Sequence, residues 1–348
     1  MQLSLKCMPN GNLPYTDDSL PTKMMTKLFE DVPYLGIFPR ADENDDLIRM
    51  SFENIPGIKI GTKRIVLKHD TDAFQIKFDV MDKAYNNPSF ENLEPYKTTS
   101  FFFNKYLRII NKIKPKETVI RLLGPFTMAQ MISTKDDIQL LADKYFRKFL
   151  IQAVCVKAMW LISKVKELSP ETIPIIMFEE PKLYQYGEVK RENEDVTKET
   201  VVLLYTKVFE KLHSYGAAVG VQCMEKCDWQ VVTEAGADII SFDAYNNPNN
   251  LTVMADKINN FLAHGGYINW AIVPVMSESM IKTTSIDAIY NRFISTVENV
   301  IDSGVSERLA YNRAMVSVQG DLDSLPLIFA EKALILSTQL ARKIPKKQ

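Results

Sequence analysis

The sequence predicts an α/β fold: a single (β/α)8 barrel of the TIM type with a β-hairpin insertion near its N-terminus. Short apolar runs rich in β-branched residues alternate with longer amphipathic stretches, which is the pattern of βα units around a parallel sheet. The chain has 348 residues, somewhat more than the roughly 250 typical of such barrels. We therefore expect one barrel spanning residues 1–348, with room for insertions.

Eight apolar runs predict the strands of this barrel, and each is followed by a predicted helix. The strands are expected at 3–9, 34–39, 118–124, 173–180, 217–224, 237–245, 267–275 and 314–320. The helices are expected at 20–30, 93–112, 136–167, 198–215, 228–235, 249–263, 284–303 and 325–343. A doubly wound open sheet would also alternate in this way, but it would more often carry a Gly-rich phosphate turn after its first strand, and "GNLP" is not one.

The largest insertion predicted is 41–92. Its segment "IPGIKIGTKRIVLKHDTDAFQIKFDV" has a period of two with turn residues, which predicts a β-hairpin that lies over one end of the barrel as a lid. The long helix at 136–167 follows the capping candidates Ser133 and Thr134, and within it Cys155 and Trp160 are interpreted as core residues.

The composition limits the kinds of partner. With 42 Lys and Arg against 43 Asp and Glu, nothing in the overall charge favours nucleic acid or an anionic membrane, so a small-molecule substrate is the expected partner. The chain has no apolar run long enough to span a membrane and no secretory signal at its N-terminus, which predicts a cytoplasmic protein. In that compartment the four cysteines are expected to be thiols.

In such barrels the loops that follow the strands build the active site, so polar residues at strand ends are the candidates for function. In chain order these are Asn10, Asn12, Thr16, Arg40, Thr127, Glu179, Glu180, Gln222, Cys223, Met224, Cys227, Asp243, Tyr245, Asn269, Trp270, Ser317, Gln319 and Asp321.

Glu179 and Glu180 end one strand as a pair. Because neighbouring side chains of a strand point to opposite sides, one carboxylate should face the barrel axis and the other the helix layer. The inward one is expected to bind a substrate amine or act as a general base. An ion pair with a neighbouring Lys or Arg is the alternative.

Cys223 and Cys227 raise the question of a metal site. Zinc requires four Cys, His or carboxylate ligands, and this spacing supplies two. The two thiols are expected to diverge unless the strand ends before Cys223. An altered site of Cys223, Cys227 and Asp243 stays open as a weaker alternative.

Five segments, in this order and spacing, resemble a known superfamily. They are "NGNLPYTD" at 10–17, "LLGPFTMAQ" at 122–130, "IIMFEEPKL" at 175–183, "GVQCMEKCDW" at 220–229 followed by "ADIISFDAY", and "INWAIVPV" at 268–275. The superfamily joins the catalytic barrel of cobalamin-independent methionine synthase with uroporphyrinogen decarboxylase, and the likeness is closest to the stand-alone methionine-synthase-like barrels.

The resemblance implies methyl transfer to a thiol, activated as a zinc-bound thiolate. It also implies that the zinc site is degenerate. Gln222 stands at the position of the family's His, Met224 at that of its first Cys and Gly320 near that of its second, while the acid is kept as Asp243. An amide, a thioether and a glycine cannot hold zinc with one carboxylate, so no cofactor is predicted.

The site residues follow from the strand ends and the resemblance together. Glu179, Glu180 and Asp243 are the predicted catalytic residues. The predicted substrate-binding residues are Asn12, Tyr15, Thr127, Gln222, Met224, Tyr245 and Trp270.

Three functions remain open at this point. The first is a methyltransferase without standard zinc that takes its methyl group from a methylated corrinoid protein or a folate. The second is a metal-free lyase like uroporphyrinogen decarboxylase, which would need arginines for substrate carboxylates, and here only Arg40 and Arg121 are candidates. The third is a non-catalytic protein that binds an amino acid or thiol and assists a methyl-transfer system.

Overall fold

The apolar runs form strands within residues 1–347, the part of the chain that the computed structural model describes. In chain order the strands are β1 (Ile58–Ile60), β2 (Ile65–Leu67), β3 (Glu117–Leu123), β4 (Ile132–Ser133), β5 (Ile173–Glu179), β6 (Ala218–Cys223), β7 (Ile239–Asp243), β8 (Tyr267–Val273) and β9 (Ala314–Val318). The six strands predicted between 118 and 320 are all present, with ends within about two residues of those expected.

The barrel wall is a parallel sheet in the order β3-β5-β6-β7-β8-β9. Two extended segments continue it at its edges by isolated parallel bridges, Cys7 with Val316 of β9 and Tyr34 with Val119 of β3. These two segments meet each other where the Leu13 amide donates to the Ile37 carbonyl at 2.8 Å. The wall is therefore continuous around the axis, which confirms the predicted (β/α) barrel, with its first two strands shortened to bridges.

Helices surround this wall. They are α1 (Ser19–Lys27), α2 (Leu47–Phe52), α3 (Asp72–Asn86), α4 (Phe90–Leu93), α5 (Phe103–Ile113), α6 (Pro125–Met131), α7 (Lys144–Leu168), α8 (Tyr186–Glu192), α9 (Lys198–Ser214), α10 (Gln230–Thr233), α11 (Ala255–Ala263), α12 (Glu278–Thr283), α13 (Ile286–Asp302), α14 (Glu307–Asn312) and α15 (Leu327–Lys343). Short 3-10 turns occur at Glu94–Tyr96, Leu183–Gln185 and Thr252–Met254.

The helix predicted at 136–167 begins later than expected, at Lys144. Asp143 caps it by accepting hydrogen bonds from the amides of Tyr145 and Phe146. The residues before it turn instead of continuing a helix, and Asp137 has a positive φ of 47°. Cys155 and Trp160 are buried within the helix, as interpreted from the sequence.

The insertion combines a short hairpin with a helix. β1 and β2 pair antiparallel, with Ile60 opposite Ile65, and this part of the hairpin prediction is confirmed. Its second half is wrong, because residues 72–80 belong to α3. Phe74, Phe78 and Met81 repeat at helical spacing, and all three are buried.

α3 packs on α7, where the rings of Phe78 and Phe149 lie 5.9 Å apart. The insertion thus rests on the outer helix layer, and its predicted role as a lid stays a prediction. Within residues 1–347 no helix is both long and apolar enough to cross a membrane.

Candidate functional site at the barrel mouth

A buried ion pair lies at the carboxyl ends of two neighbouring strands. The Nε of Arg121 on β3 donates to Oε1 of Glu179, the last residue of β5, at 2.7 Å, and the two side chains are 6% and 11% exposed. Burial raises the pKa of the Glu179 carboxyl, and the Arg121 guanidinium opposes that rise. Glu179 is therefore the glutamate of the pair that faces the barrel axis. Its contact with Arg121 is the ion pair that the sequence left open as the alternative to a substrate contact.

Arg121 also joins the first and last loops of the barrel. Its Nη1 donates to Oδ1 of Asn12 at 3.3 Å, and its Nη2 lies 3.4 Å from Oδ1 of Asp321. The Asn12 amide donates to the same Asp321 oxygen at 2.7 Å. Burial alone would lower the pKa of Arg121, but the carboxylates of Glu179 and Asp321 raise it above its ordinary value. Each nitrogen of the guanidinium thus contacts a protein oxygen.

Gln222 fixes the second oxygen of Glu179. Its Nε2 donates to Oε2 of Glu179 at 2.8 Å and reaches Oδ1 of Asn10 at 3.3 Å. Its Oε1 accepts from the Ser241 hydroxyl at 3.0 Å, and Asn269 continues the chain by donating to Ser241 and Ser317 at 2.8 Å each. Both oxygens of Glu179 thus accept from donors that cannot accept in return, which favours the ionised carboxylate.

A cavity of about 480 Å³ opens above this pair. Its lining residues come from the ends of β5 and β6 and the loops that follow: Glu179, Pro181, Tyr184, Gln222, Met224 and Glu225. Tyr184 is 46% exposed, and Glu225 supplies a second, exposed carboxylate. The lining contains neither Lys nor Arg.

Four predicted site residues are brought together here. Glu179, Gln222 and Met224 line the cavity, and Asn12 reaches Glu179 through Arg121.

Asp243 ends β7 on the inward side, where its oxygens accept from the amides of Tyr245 and Asn246, the Asn246 side chain and Nε2 of Gln319. These four donors fill its acceptor positions.

Two other predicted residues lie on the helix side of the wall. Glu180 is fully buried, and its carboxylate accepts from the amides of Phe126 and Thr127 at the start of α6 and from the Tyr205 hydroxyl at 2.6 Å. Burial raises the pKa of Glu180 to about 7. Thr127 is buried beside it and accepts from the Lys182 amide, so both stabilise the loop after β5 rather than line the cavity.

The three predicted aromatic residues also lie away from the cavity. Trp270 packs edge-on against Phe293 of α13, in the helix layer. The hydroxyl of Tyr15 contacts Met24 and Glu331. Tyr245 lines a separate cavity of about 320 Å³ with Arg292.

The two cysteines do not join Asp243. Gln222 faces the axis, so Cys223 faces outward, where its thiol contacts that of Cys227 instead of diverging from it as the sequence suggested. Asp243 faces the interior. Within residues 1–347 no group of three or more His, Cys, Asp or Glu side chains is arranged to hold a metal ion. Gln222 and Met224 do not fit the donor set that zinc requires.

Sequence reasoning missed the central role of Arg121 and did not select Tyr184 or Glu225. The signal for Arg121 was a single cation in the apolar run "TVIRLLG", since a buried charge needs a partner. Tyr184 lies in the 3-10 turn Leu183–Gln185 and Glu225 in the loop after β6, and no periodic pattern marks which residues of such segments face a cavity.

Comparisons with known proteins find no family model and no curated protein that matches this chain. Among solved structures it is similar to a β-glycosidase from the hyperthermophile Thermosphaera aggregans, with 9% identity over 95% of this chain and 86% of that one, at a TM-score of 0.44. It is also similar to an endo-β-1,4-mannanase from Cellulomonas fimi, with 13% identity over 70% of this chain and 57% of that one, at a TM-score of 0.41. The chain is similar as well to a Bacteroidetes-affiliated GH5 cellulase, with 9% identity over 74% of this chain and 79% of that one, at a TM-score of 0.40.

These findings correct the resemblance inferred from the sequence. The assignment to the methionine synthase and uroporphyrinogen decarboxylase superfamily was wrong, and so was the methyltransferase function, since no family model or curated protein supports them and the similar solved structures are glycosidases. The expectation that no cofactor is bound stays a prediction. Segments such as "LLGPF" and "FEEP" have a structural explanation in this chain, since they form the contact between the start of α6 and Glu180. At 9–13% identity the likeness to glycosidases concerns the fold alone.

Proposed function

We propose that the barrel mouth binds a neutral, hydroxyl-rich small molecule of the sugar type and hydrolyses a glycosidic bond in it. The observation that carries this proposal is the placement of Glu179. It is a largely buried carboxylate fixed by Arg121 and Gln222, and it lines the same cavity as Glu225.

The charges of the site favour a neutral ligand. The cavity lining has no cation, and Arg121 is already paired with Glu179 and Asp321, so a phosphate or carboxylate group would find no free positive partner. The Arg121 contact also compensates the charge of Glu179, which reduces the attraction for a cation. Carboxylate and amide oxygens remain as acceptors for hydroxyl groups, and the exposed ring of Tyr184 offers an apolar face to a sugar ring.

Two carboxylates that line one cavity suit glycoside hydrolysis. One carboxyl protonates the leaving oxygen as the glycosidic bond breaks, while the other stabilises or attacks the anomeric carbon. Water then adds to that carbon and gives its proton to the first carboxylate, which restores both groups. Glu179 is fixed by its contacts with Arg121 and Gln222, so it is assigned to the anomeric carbon. Glu225 is exposed and follows β6, and it is assigned as the proton donor.

The test is hydrolysis of a panel of 4-nitrophenyl glycosides that covers both anomers of the common hexoses and xylose. Glu179→Gln should lower kcat by at least about 100-fold while the fold is kept, because the amide preserves shape but removes the charge. Glu225→Gln should also lower kcat, and the matched control Glu188→Gln, an exposed position on α8 outside the cavity, should leave it unchanged.

Two results would contradict the proposal. One is full activity in Glu179→Gln. The other is neither nitrophenol release nor a thermal shift with any sugar, above all if organic amines do shift the melting temperature. Sugar binding without hydrolysis would limit the function to binding. The cytoplasmic location predicted from the sequence stays a prediction.

A further inference from the structure

A second cavity, of about 630 Å³, lies in the insertion. It is enclosed by the β1–β2 hairpin, the start of α3 and the 3-10 turn Glu94–Tyr96, and it shares no lining residue with the barrel mouth. Its volume is within the range of small-molecule sites.

The floor of this cavity is apolar and well packed. Ile55, Phe74 and Tyr96 line it and are buried to 4%, 3% and 2% exposure. Gly57, at a φ of +71°, lets the hairpin approach closely, since a Cβ there would lie 2.5 Å from the Lys68 carbonyl oxygen and 2.7 Å from the Phe74 ring. The floor is therefore fixed by packing, and Val80, which is 46% exposed, adds accessible apolar surface beside it.

The rim of the cavity is cationic. Lys59, Lys68 and Lys77 line it, and within residues 1–347 the ammonium groups of these three residues take part in no ion pair. The lining includes neither Asp nor Glu. Asp70 and Asp72 flank Thr71 in the chain, but they do not line the cavity.

The start of α3 adds little to this potential. Thr71 and Ala73 line the cavity there, but the Thr71 hydroxyl and carbonyl already accept from the Phe74 amide, and Asp72 lies in the first turn. The sign of the ligand charge is therefore set by the three unpaired lysines and the absence of lining carboxylates.

We propose that this cavity binds a small amphipathic organic anion, with its apolar body on the floor of Ile55, Phe74 and Tyr96 and its anionic group at the three lysines. A carboxylate, sulfonate or phosphate satisfies the charge of the rim, since each is an acceptor for ammonium groups. The site is independent of the barrel mouth and of the function proposed there.

The experiment compares two fluorescent probes on the full chain. 8-Anilinonaphthalene-1-sulfonate carries an apolar body and a sulfonate, and N-phenyl-1-naphthylamine has a similar body without charge. We expect saturable 1:1 binding of the sulfonate that weakens as salt is raised, because screening reduces the attraction of the lysines. The neutral probe should bind at least about tenfold more weakly.

Variants locate the site. The triple change Lys59→Gln, Lys68→Gln and Lys77→Gln should weaken sulfonate binding at least about tenfold, and Val80→Glu, a change at an exposed lining position, should also weaken it. The matched control is Lys63→Gln, on the same hairpin but outside the lining, and it should bind like the wild type. Melting temperatures close to that of the wild type show that the variants fold. Unchanged sulfonate affinity in the folded triple variant, or equal binding of the two probes, would overturn the proposal.

Discussion

The carboxylate of Glu180 fills the space that a side chain on residue 124 would need. An ideal Cβ on Gly124 would lie 2.1 Å from Oε1 of Glu180. Gly124 is the N-cap of α6, and the same carboxylate accepts from the Phe126 and Thr127 amides in the first turn of that helix. The glycine is thus explained by the approach of a buried side chain, and its own φ of −79° is ordinary.

Gly124→Ala should destabilise the fold by about 2–4 kcal/mol, because the added methyl group displaces a buried, hydrogen-bonded carboxylate. Urea denaturation measures this. Gly187→Ala is the matched control: residue 187 lies inside α8 with no heavy atom near its Cβ position, so alanine there should be neutral or stabilise by up to about 1 kcal/mol. A Gly124→Ala protein as stable as the wild type would contradict the steric account.

Glu180 should make stability depend on pH in an unusual direction. Its pKa is raised from 4.5 to about 7 by burial, so the folded state binds this proton more tightly than the unfolded state. The resulting stabilisation is present below pH 4.5 and is lost as the pH rises through 7.

The free energy of unfolding of the wild type should therefore fall by on the order of 3 kcal/mol relative to Glu180→Gln between pH 4.5 and 8. Other titrating groups act equally in both proteins and cancel in the comparison. Denaturation series at several pH values check this, and parallel curves for the two proteins would exclude the shift.

Arg121 should be required to keep Glu179 buried. Arg121→Met leaves that carboxylate without its cation and should cost about 3–5 kcal/mol, measured by urea denaturation. The double variant Arg121→Met with Glu179→Met should be less destabilised than the single one, because no uncompensated charge remains. Additive costs in this double-mutant cycle would show that the pair is not coupled.

Lys157 gives a pH prediction of the opposite sign. Its ammonium donates to the carbonyls of Tyr96 and Lys97 at 3.1 and 3.3 Å, and burial lowers its pKa from 10.5 to about 7. Its contribution to stability is present above pH 10.5 and is lost as the pH falls through 7.

Lys157→Met should consequently gain stability relative to the wild type by on the order of 3 kcal/mol between pH 10 and 7. The loss of the two hydrogen bonds is a constant cost at each pH. Thermal or urea unfolding across this range measures the trend, and a difference that does not change with pH would mean that the ammonium stays charged in the fold.

The amino-acid sequence by itself determined the fold class, the six strands between 118 and 320 and the eight helices expected after the strands. Seven further helices were not predicted: α2, α3, α4, α6, α8, α12 and α14. Apolar periodicity is local, so it placed β5 at Ile173–Glu179 and α13 at Ile286–Asp302 to within about two residues. The prediction failed at residues 72–80. There apolar residues alternate with polar and charged ones, so the segment fits the period of a strand as well as that of a helix, and it forms part of α3.

Only the tertiary structure decided which residues form the site. Strand alternation predicted that Glu179 and Glu180 face opposite sides, but it did not say which one faces inward. Glu179 is identified by its contact with Arg121, 58 residues away in the chain. Arg121 in turn contacts Asp321, which is 200 residues away from it. Such contacts depend on barrel closure, and no local pattern encodes them. Short segments are equally local, and they suggested a family that the comparisons do not support. Burial, charge pairing and the two cavities instead follow from how distant parts of the chain pack together.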